Sequence, residues 1–265
     1  MKIQNLIDFI HSVAPSEFQE SYDNSGLITG HPDTEIRGVL ICLDALETVV
    51  EEAILLGCNV IVAHHPILFR PLKRLNGNDY IERTIIKAIR HEIAIFAVHT
   101  NLDNVFYSGV NAKIAERLSL VDAEILSPKP NVMFQSKEVG AGMIGRLQQA
   151  LPVEEFLDLL KVKMEIDHLR HTELCNAQIG VVAVCGGAGS FLVSEAKRKG
   201  ADIFITADLK YHEFFDADGQ IILVDIGHYE SEKYTIELLY TLITNNFSTF
   251  AAHCTKTVTN PVKYF

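Results

Sequence analysis

The stretch VIVAHHP (residues 60–66) places two adjacent histidines directly after a run of apolar residues. Gly57 and Pro66 flank the run, which is typical of a buried strand in a parallel sheet. Ligands of open α/β sheets bind just beyond the carboxyl ends of the strands, so His64 and His65 are candidate ligands. Because consecutive strand residues point to opposite faces, one site uses both histidines only if the backbone turns there. Pro66 favours such a turn.

Three further apolar runs end in the same kinds of residue. They are followed by His99 and Asp103, by Asp208 and His212, and by His228 and Glu232. Imidazole and carboxylate ligands suit Zn, Mn, Fe, Co or Ni, and no nearby thiolate indicates a closed structural zinc site. Four such endings in one chain predict one convergent metal site.

His228 and Glu232 lie four residues apart after Gly227. Helix formers follow Glu230, so a helix that starts near Gly227 would place both side chains on one face. We therefore expect the pair to bind one ion. The alternative for Glu232 is a structural role, because a glutamate in the first turn complements the helix dipole.

Composition limits the class of protein. The chain has 265 residues, 48% of them hydrophobic and 22% charged, with a net charge of −11. No long basic stretch is present, so we expect no nucleic-acid binding. Five cysteines without a CxxC motif predict a reduced, cytoplasmic protein. The N-terminus has the spacing of an amphipathic helix rather than a signal peptide, and no apolar run is long enough to predict a membrane span.

The chain contains an internal repeat of a βαβ pattern. Gly38–Cys42 and Gly180–Cys185 each precede a helical stretch, a glycine and another apolar strand. From Ala53 and Ala196 onward the register is identical, and upstream of them a one-residue shift aligns the glycines and cysteines. The pattern predicts an α/β fold with largely parallel sheets: two similar α/β domains related by the repeat, with the metal site in the cleft between them.

The repeat also predicts where Asp208 lies, because Asp208 corresponds to His65 in this alignment. We expect Asp208 near the metal ligands but not among them. The turn-rich segment Ser127–Asn131 is a candidate boundary between the halves. The predicted domains are residues 1–127 plus 233–265, and residues 128–232.

Two glycine-containing segments each have two interpretations. The loop Cys185–Ser190 follows a strand and opens a helix, where backbone amides can bind an anion. It matches neither the dinucleotide-binding pattern nor the P-loop, so the alternative is a tight turn. Asp23–Leu27 is likewise explained by an Asn/Gly turn.

Five motifs follow one another along the chain. They are DNSGL at 23–27, AHHP at 63–66, HTNLD at 99–103, CGGAG at 185–189 and GHYESE at 227–232. Together they resemble the NIF-three-like family of dinuclear-metal proteins, often named GTP cyclohydrolase 1 type 2 homologues. The resemblance implies two similar α/β domains, two divalent metal ions per subunit and a ring-shaped homohexamer. The ligands that it implies, one carboxylate bridging the ions, are His64, His65, Asp103, His228 and Glu232.

The chain departs from the family pattern in three places. Tyr22 stands where the family usually has Trp, and Ala207 stands where it usually has Gly. The inserted domain of longer members is absent, because the stretch between the halves is too short. None of these departures affects an implied ligand, so they concern substrate contacts rather than metal binding.

Two ions about 3.5–4 Å apart can share a hydroxide and polarise a phosphoryl or acyl oxygen. We therefore expect a metal-dependent hydrolase of an unknown small molecule, such as a nucleotide or phosphoester. His99 or His212 is the candidate proton shuttle. Alternatively, His99 orients Asp103, and His212 is a plain exposed residue. The alternative functions are a non-enzymatic metal-binding or scaffold protein, and a GTP cyclohydrolase, which only the resemblance supports.

Overall fold

A computed structural model describes residues 1–264. Its helices and strands follow in the order α1 (Ile3–Val13), β1 (Gly26–Thr29), β2 (Gly38–Asp44), α2 (Glu47–Leu55), β3 (Val60–His65), α3 (Tyr80–Arg90), β4 (Ala94–Ala97), α4 (Thr100–Asp103), α5 (Val110–Arg117), β5 (Val121–Phe134), β6 (Lys137–Pro152), α6 (Val153–Met164), β7 (Arg170–His171), β8 (Gln178–Ala188), α7 (Val193–Arg198), β9 (Ile203–Ala207), β10 (Ile222–Asp225), α8 (His228–Glu232), α9 (Thr235–Asn246) and β11 (Ala251–Cys254). Short 3-10 turns occupy Ser16–Phe18, Ser190–Leu192 and Tyr211–Ala217.

The chain divides into two compact units. Unit 1 comprises Met1–Leu102 and Thr235–Phe265, and unit 2 comprises Asp103–Tyr234. The first division lies earlier than the predicted boundary at Ser127–Asn131, which falls inside β5. Two prolines there read as a turn, but β5 is an edge strand, where proline is tolerated because one side of the strand forms no ladder.

Unit 1 is built on a mostly parallel sheet. In the described residues its strand order is β1-β4-β3-β2-β11. β2, β3, β4 and β11 run parallel, and β1 pairs antiparallel with β4 at the edge. Side chains of β2 and β3 pack against α2 and α3 in a core that includes Leu40, Val49, Ile61 and Ile85. Each fully buried aliphatic side chain of this kind contributes about 1.5–3 kcal/mol to folding.

Unit 2 is built on a mixed sheet. Its described strand order is β5-β6-β8-β9-β10-β7. β8, β9 and β10 run parallel, as predicted, whereas β5, β6 and β7 pair antiparallel. The long β5–β6 hairpin is the part that the βαβ pattern does not contain. A core that includes Ala183, Val193, Phe204 and Leu223 covers one face of the parallel strands.

The two sheets repeat the same arrangement of parallel strands. The order β4-β3-β2 in unit 1 matches β10-β9-β8 in unit 2, and each ends in an antiparallel edge strand. The corresponding ladder pairs are Val39 with Val60 and Val182 with Ile203. The residue numbers of these pairs differ between the two halves by the same amount as those of Ala53 and Ala196. Cys42 and Cys185 therefore correspond without the predicted one-residue shift. The second half has one extra residue near the beginning of β8, so only Gly38 and Gly180 are out of register.

The C-terminal region packs within unit 1. β11 extends the sheet beside β2, and the Phe247 ring meets the Phe9 ring edge-on at 5.2 Å. Ile243 is fully buried. Part of the C-terminal region is thus buried within unit 1, whereas Val258 and Val262 are exposed. Phe265 lies outside the described residues. Among residues 1–264 no helix is both long and apolar enough to span a membrane.

Candidate metal centre

Unit 1 brings three histidines together at the ends of β3 and β4. The ring centroids of His64 and His65 are 4.8 Å apart, and each lies 5.3 Å from that of His99. The candidate ligand nitrogens of the three side chains all lie within 4.8 Å of one another. The backbone at the end of β3 therefore turns so that the side chains of both adjacent histidines face one site. The sequence predicted that such a turn is needed if one site uses both histidines.

Oxygen acceptors hold the Nδ1 atoms of the first two histidines. His64 is fully buried, and its Nδ1 lies 2.9 Å from the Val98 carbonyl oxygen. Because a carbonyl oxygen only accepts, Nδ1 of His64 carries the hydrogen and Nε2 keeps its lone pair. Nδ1 of His65 lies 2.9 Å from Oδ1 of Asp44 at the end of β2. Histidines that bind metals are typically fixed in this way, through the nitrogen that does not bind.

Asp23 fixes His99. Its buried carboxylate accepts hydrogen bonds from Nδ1 of His99 at 2.8 Å, the Thr100 hydroxyl at 2.5 Å and amide at 3.1 Å, the Ser25 hydroxyl at 3.0 Å and the Asn24 amide at 2.7 Å. Burial alone would raise the pKa of Asp23, but the hydrogen bonds from His99, Thr100 and Asn24 outweigh it and hold that pKa well below its ordinary value. The segment predicted to be only a turn thus orients a histidine.

Unit 2 contributes a histidine and a glutamate from one short helix. Helix α8 begins at His228, directly after Gly227 with φ 89°, so the predicted helix start is confirmed. Nε2 of His228 lies 3.2 Å from Oε2 of Glu232, which is 3% exposed. Nδ1 of His228 lies 2.8 Å from Oδ2 of Asp208. Asp208 therefore touches a candidate ligand, as the repeat predicted, and its backbone adopts a left-handed conformation at φ 56°.

The two carboxylates determine the charge of His228. Burial opposes its charged form, but the hydrogen bonds and charges of Asp208 and Glu232 outweigh burial and raise the pKa of His228 to about 11. The hydrogen bond from His228 in turn lowers the pKa of Asp208. Without a metal ion, Nε2 of His228 therefore carries a proton that faces Glu232. Metal binding to Nε2 replaces that proton with another positive charge.

The glycine-containing end of β8 packs closely against Glu232. Gly186 and Gly187 belong to this strand, so the predicted loop begins later than Cys185. Gly187 has φ 65°, and a Cβ placed on it would lie 2.4 Å from Oε1 of Glu232. Its amide donates to the Ser231 hydroxyl at 2.9 Å. Glycine adopts this backbone conformation without strain, and its lack of a Cβ leaves the Glu232 side chain in place.

The neighbouring amide of the same strand also has a protein partner. Gly186 donates to Oδ1 of Asn111 at 2.9 Å, and Nδ2 of Asn111 donates to the Asp103 carbonyl oxygen at 3.0 Å. These contacts give the two amides a structural role, and the strand itself replaces the tight turn predicted at this position. They connect the end of β8 to the backbone of Asp103, the partly buried last residue of α4.

The sequence profile of the DUF34/NIF3 family (NGG1p interacting factor 3) matches residues 1–261. The chain belongs to the NIF3 family. A Clostridium perfringens protein named GTP cyclohydrolase 1 type 2 homolog is 33% identical over 233 residues, covering 88% of this chain and 87% of that protein. The crystal structure of Staphylococcus aureus protein SA1388 has a TM-score of 0.92 at 30% identity, covering 100% of this chain and 99% of that one.

NIF3-family members differ in length. A Staphylococcus epidermidis relative, also named GTP cyclohydrolase 1 type 2 homolog, is 26% identical over an alignment of 367 residues that covers 100% of each chain. That alignment is longer than the 265 residues of this chain. The longer relative therefore contains residues without a counterpart here, as expected from the short stretch between the halves.

In this NIF3-family chain the predicted residues fall into two groups by unit. His64, His65 and His99 are clustered in unit 1, and His228 and Glu232 are in contact in unit 2. His212 is exposed, with its ring 5.2 Å from that of Tyr211, in the 3-10 turn Tyr211–Ala217. Its role as a proton shuttle stays a prediction.

The sequence interpretation missed the carboxylates that hold two of the histidines. Asp44 ends a strand, like the predicted ligands, but no histidine lies beside it in the sequence. Asp23 stands in a motif that an Asn/Gly turn already explained. The signal that could have found Asp44 is the general rule that a metal-binding histidine donates its second ring N–H to an oxygen acceptor.

Proposed function

We propose that this NIF3-family chain binds two divalent metal ions per subunit and uses them to hydrolyse a small phosphoester or nucleotide. The proposed ligands, which the two units contribute to one dinuclear centre, are His64, His65, Asp103, His228 and Glu232. The observation that carries the proposal is the oxygen acceptor at Nδ1 of His64, His65 and His228, the arrangement in which a histidine typically binds a metal through Nε2.

The donor set fits Zn, Mn, Fe, Co or Ni. Imidazole nitrogens and carboxylate oxygens bind all of these ions, whereas thiolates would select softer ones. Burial, together with the charges of Asp103 and Glu232, raises the pKa of the Cys185 thiol well above its ordinary value. Without a metal ion Cys185 is therefore a thiol, and it is not among the proposed ligands. Five ligands for two ions leave coordination positions for water and substrate, as catalytic sites require.

Each residue then has a defined task. When bound, the ions would supply a hydroxide at neutral pH and polarise the substrate oxygen. Asp44 and Asp208 keep the hydrogens of His65 and His228 on Nδ1. His99, whose Nδ1 is held by Asp23, takes or gives a proton at Nε2.

Activity of metal-loaded protein tests the proposal. The protein is loaded with Zn²⁺ or Mn²⁺ and assayed with phosphoesters, nucleotides including GTP, and amides, and His64→Ala is compared with the exposed-residue control His91→Ala. We expect hydrolysis that His64→Ala abolishes and His91→Ala retains. Ring opening of GTP would instead support the activity in the relatives' names. Metal binding without any turnover would contradict the hydrolase and favour the metal-binding or scaffold role.

We further propose that the chain assembles into a ring-shaped homohexamer. The support is the resemblance of its motifs to the family, and the test is the mass of the protein in solution.

A further inference from the structure

The segment after β11 returns to the histidine cluster of unit 1. Thr259 is 7% exposed, and its hydroxyl donates to Oδ2 of Asp44 at 2.6 Å. The other oxygen of that carboxylate, Oδ1, lies 2.9 Å from Nδ1 of His65. A continuous path of hydrogen bonds therefore leads from the C-terminal segment through Asp44 to a candidate metal ligand.

The segment is fixed in place by Glu52 of α2. The Glu52 carboxylate accepts from the Thr255 hydroxyl at 2.5 Å, the Lys256 amide at 2.7 Å, the Thr257 hydroxyl at 2.8 Å and the Thr257 amide at 3.3 Å. The Thr255 amide also donates to the carbonyl oxygen of Ile41 in β2 at 2.9 Å. The bonds donated by the Thr255 and Lys256 backbone amides hold the segment against β2 and α2, and Thr259 follows on the same segment.

Asp44 needs such support because it is not buried like Asp23. Its side chain is 33% exposed, whereas the His65 side chain is 15% exposed. A partly exposed carboxylate can rotate, and water competes for its oxygens. A hydroxyl donor on Oδ2 fixes the carboxylate plane and keeps Oδ1 directed at His65.

We propose that Thr259 is a positioning residue of the metal centre, which it serves by fixing Asp44 and, through Asp44, the tautomer and orientation of the His65 ring. The proposal rests on the proposed function in that His65 is taken to bind a metal ion. It makes the C-terminal segment part of the centre, although that segment supplies no ligand.

Calorimetric titration of the chelator-treated full chain with Zn²⁺ and Co²⁺ tests this. Thr259→Val removes the hydroxyl at nearly constant shape, Thr259→Ala is a second hydroxyl-free variant, and Thr259→Ser restores the donor. Thr257→Val is the matched control, because it removes a hydroxyl that bonds Glu52 in the same segment. We expect both hydroxyl-free variants to raise the dissociation constant of one of the two ions about fivefold to tenfold. In Thr259→Ser and Thr257→Val the dissociation constants should stay within about twofold of the wild-type values.

The ¹⁵N resonances of the His65 ring give a readout that does not require metal. In the metal-free wild type we expect the Nδ1-protonated tautomer, and in Thr259→Val a mixture of tautomers. If the wild type binds no metal, the proposed function fails, but this spectrum still decides the role of Thr259. Unchanged His65 resonances and unchanged affinity in Thr259→Val, with both altered in Asp44→Asn, would overturn the proposal. An equal loss of affinity in Thr257→Val would also overturn it, since packing of the segment would then explain the effect.

Discussion

At the scale of single residues, Asp23 shows how a buried charge can be favourable. A carboxylate without partners is strongly destabilising inside a protein. Asp23 has five hydrogen-bond donors, two of them from Thr100 at the start of α4 and one from His99. It therefore fixes the start of α4 and the His99 ring together.

Asp23→Asn should destabilise the protein in a pH-dependent way. The folded-state pKa of Asp23 lies below its ordinary value of 3.8, so the charged form stabilises the fold above pH 4. That contribution is lost as the pH falls from 3.8 towards the lower folded value. We expect the variant to lose about 2 kcal/mol of unfolding free energy at pH 7, and progressively less below pH 4. Urea unfolding of chelator-treated protein at several pH values measures this. The exposed Asp33→Asn is the control, and a deficit that is equally large at pH 3 would contradict the explanation.

Glu232→Gln tests the role of this carboxylate in holding the ions. The variant keeps the shape of a side chain that is 3% exposed and removes its negative charge. We expect metal analysis to find fewer than two equivalents per chain. A fall to zero identifies Glu232 as the bridging ligand, and a fall to one identifies Asp103. Glu230→Gln on the same helix is the control, and two equivalents in Glu232→Gln would exclude Glu232 as a required ligand.

The candidate ligands could be predicted from the sequence because each follows an apolar run or shares a helix face. Their partners could not, because Asp23 is 76 residues from His99, Asp44 is 21 from His65 and Asp208 is 20 from His228. Asp208 is the exception, because its alignment with His65 in the repeat predicted that it lies near the metal ligands. No comparable pattern marks Thr259 or Asn111.

At the scale of elements, the end of β8 and helix α8 pack closely because the strand carries glycines there. A Cβ added to Gly187 would displace the end of the Glu232 side chain. The amides at this end of β8 bond Ser231 and Asn111 rather than an anion. The glycines therefore position the glutamate.

Gly187→Ala should displace Glu232 and reduce metal binding. The control is Gly219→Ala, because Gly219 has φ 64° against 65° for Gly187 but nothing within 4 Å of an added Cβ. Both variants pay the strain of a left-handed alanine, about 1–2 kcal/mol. We expect only Gly187→Ala to lower the bound metal below two equivalents, measured by metal analysis of the dialysed proteins. Equal metal content in the two variants would show that close packing against Glu232 is unimportant.

The repeated βαβ pattern correctly predicted two similar α/β units with parallel strands, because short apolar runs separated by helical stretches are typical of parallel sheets. The β5–β6 hairpin was not predicted. Pro128 and Pro130 resemble turn residues in the sequence, and only the position of β5 at the sheet edge explains why they are tolerated. Edge position is a property of the whole sheet, which local sequence does not record.

At the scale of the whole molecule, each unit has an aspartate whose carboxylate accepts a hydrogen bond from Nδ1 of a histidine near the end of a strand. In unit 1 the carboxylate of Asp44 holds His65, and in unit 2 that of Asp208 holds His228. The supporting aspartates are not equivalent in the repeat, because Asp208 corresponds to His65 itself. Each unit therefore contains a histidine supported by a carboxylate, at positions that do not correspond in the repeat.

Self-association is the remaining prediction at this scale. The resemblance to the family implies a hexamer, and several large apolar side chains are left in solvent: Phe191, Tyr211 and Phe215 of unit 2 are 67%, 73% and 66% exposed. The ring centroids of Tyr211 and Phe215 are 5.5 Å apart. Exposed aromatic groups of this kind are typical of surfaces that other chains cover. We expect light scattering at micromolar concentration to give six times the 29.5 kDa of one chain. Phe215→Ser should lower the mass if these rings are covered in the assembly, whereas Val162→Ser, at a residue that is 73% exposed between Lys161 and Lys163, should not. A monomeric wild type would refute the hexamer, and an unchanged hexamer in Phe215→Ser would place the contacts between subunits elsewhere on the surface.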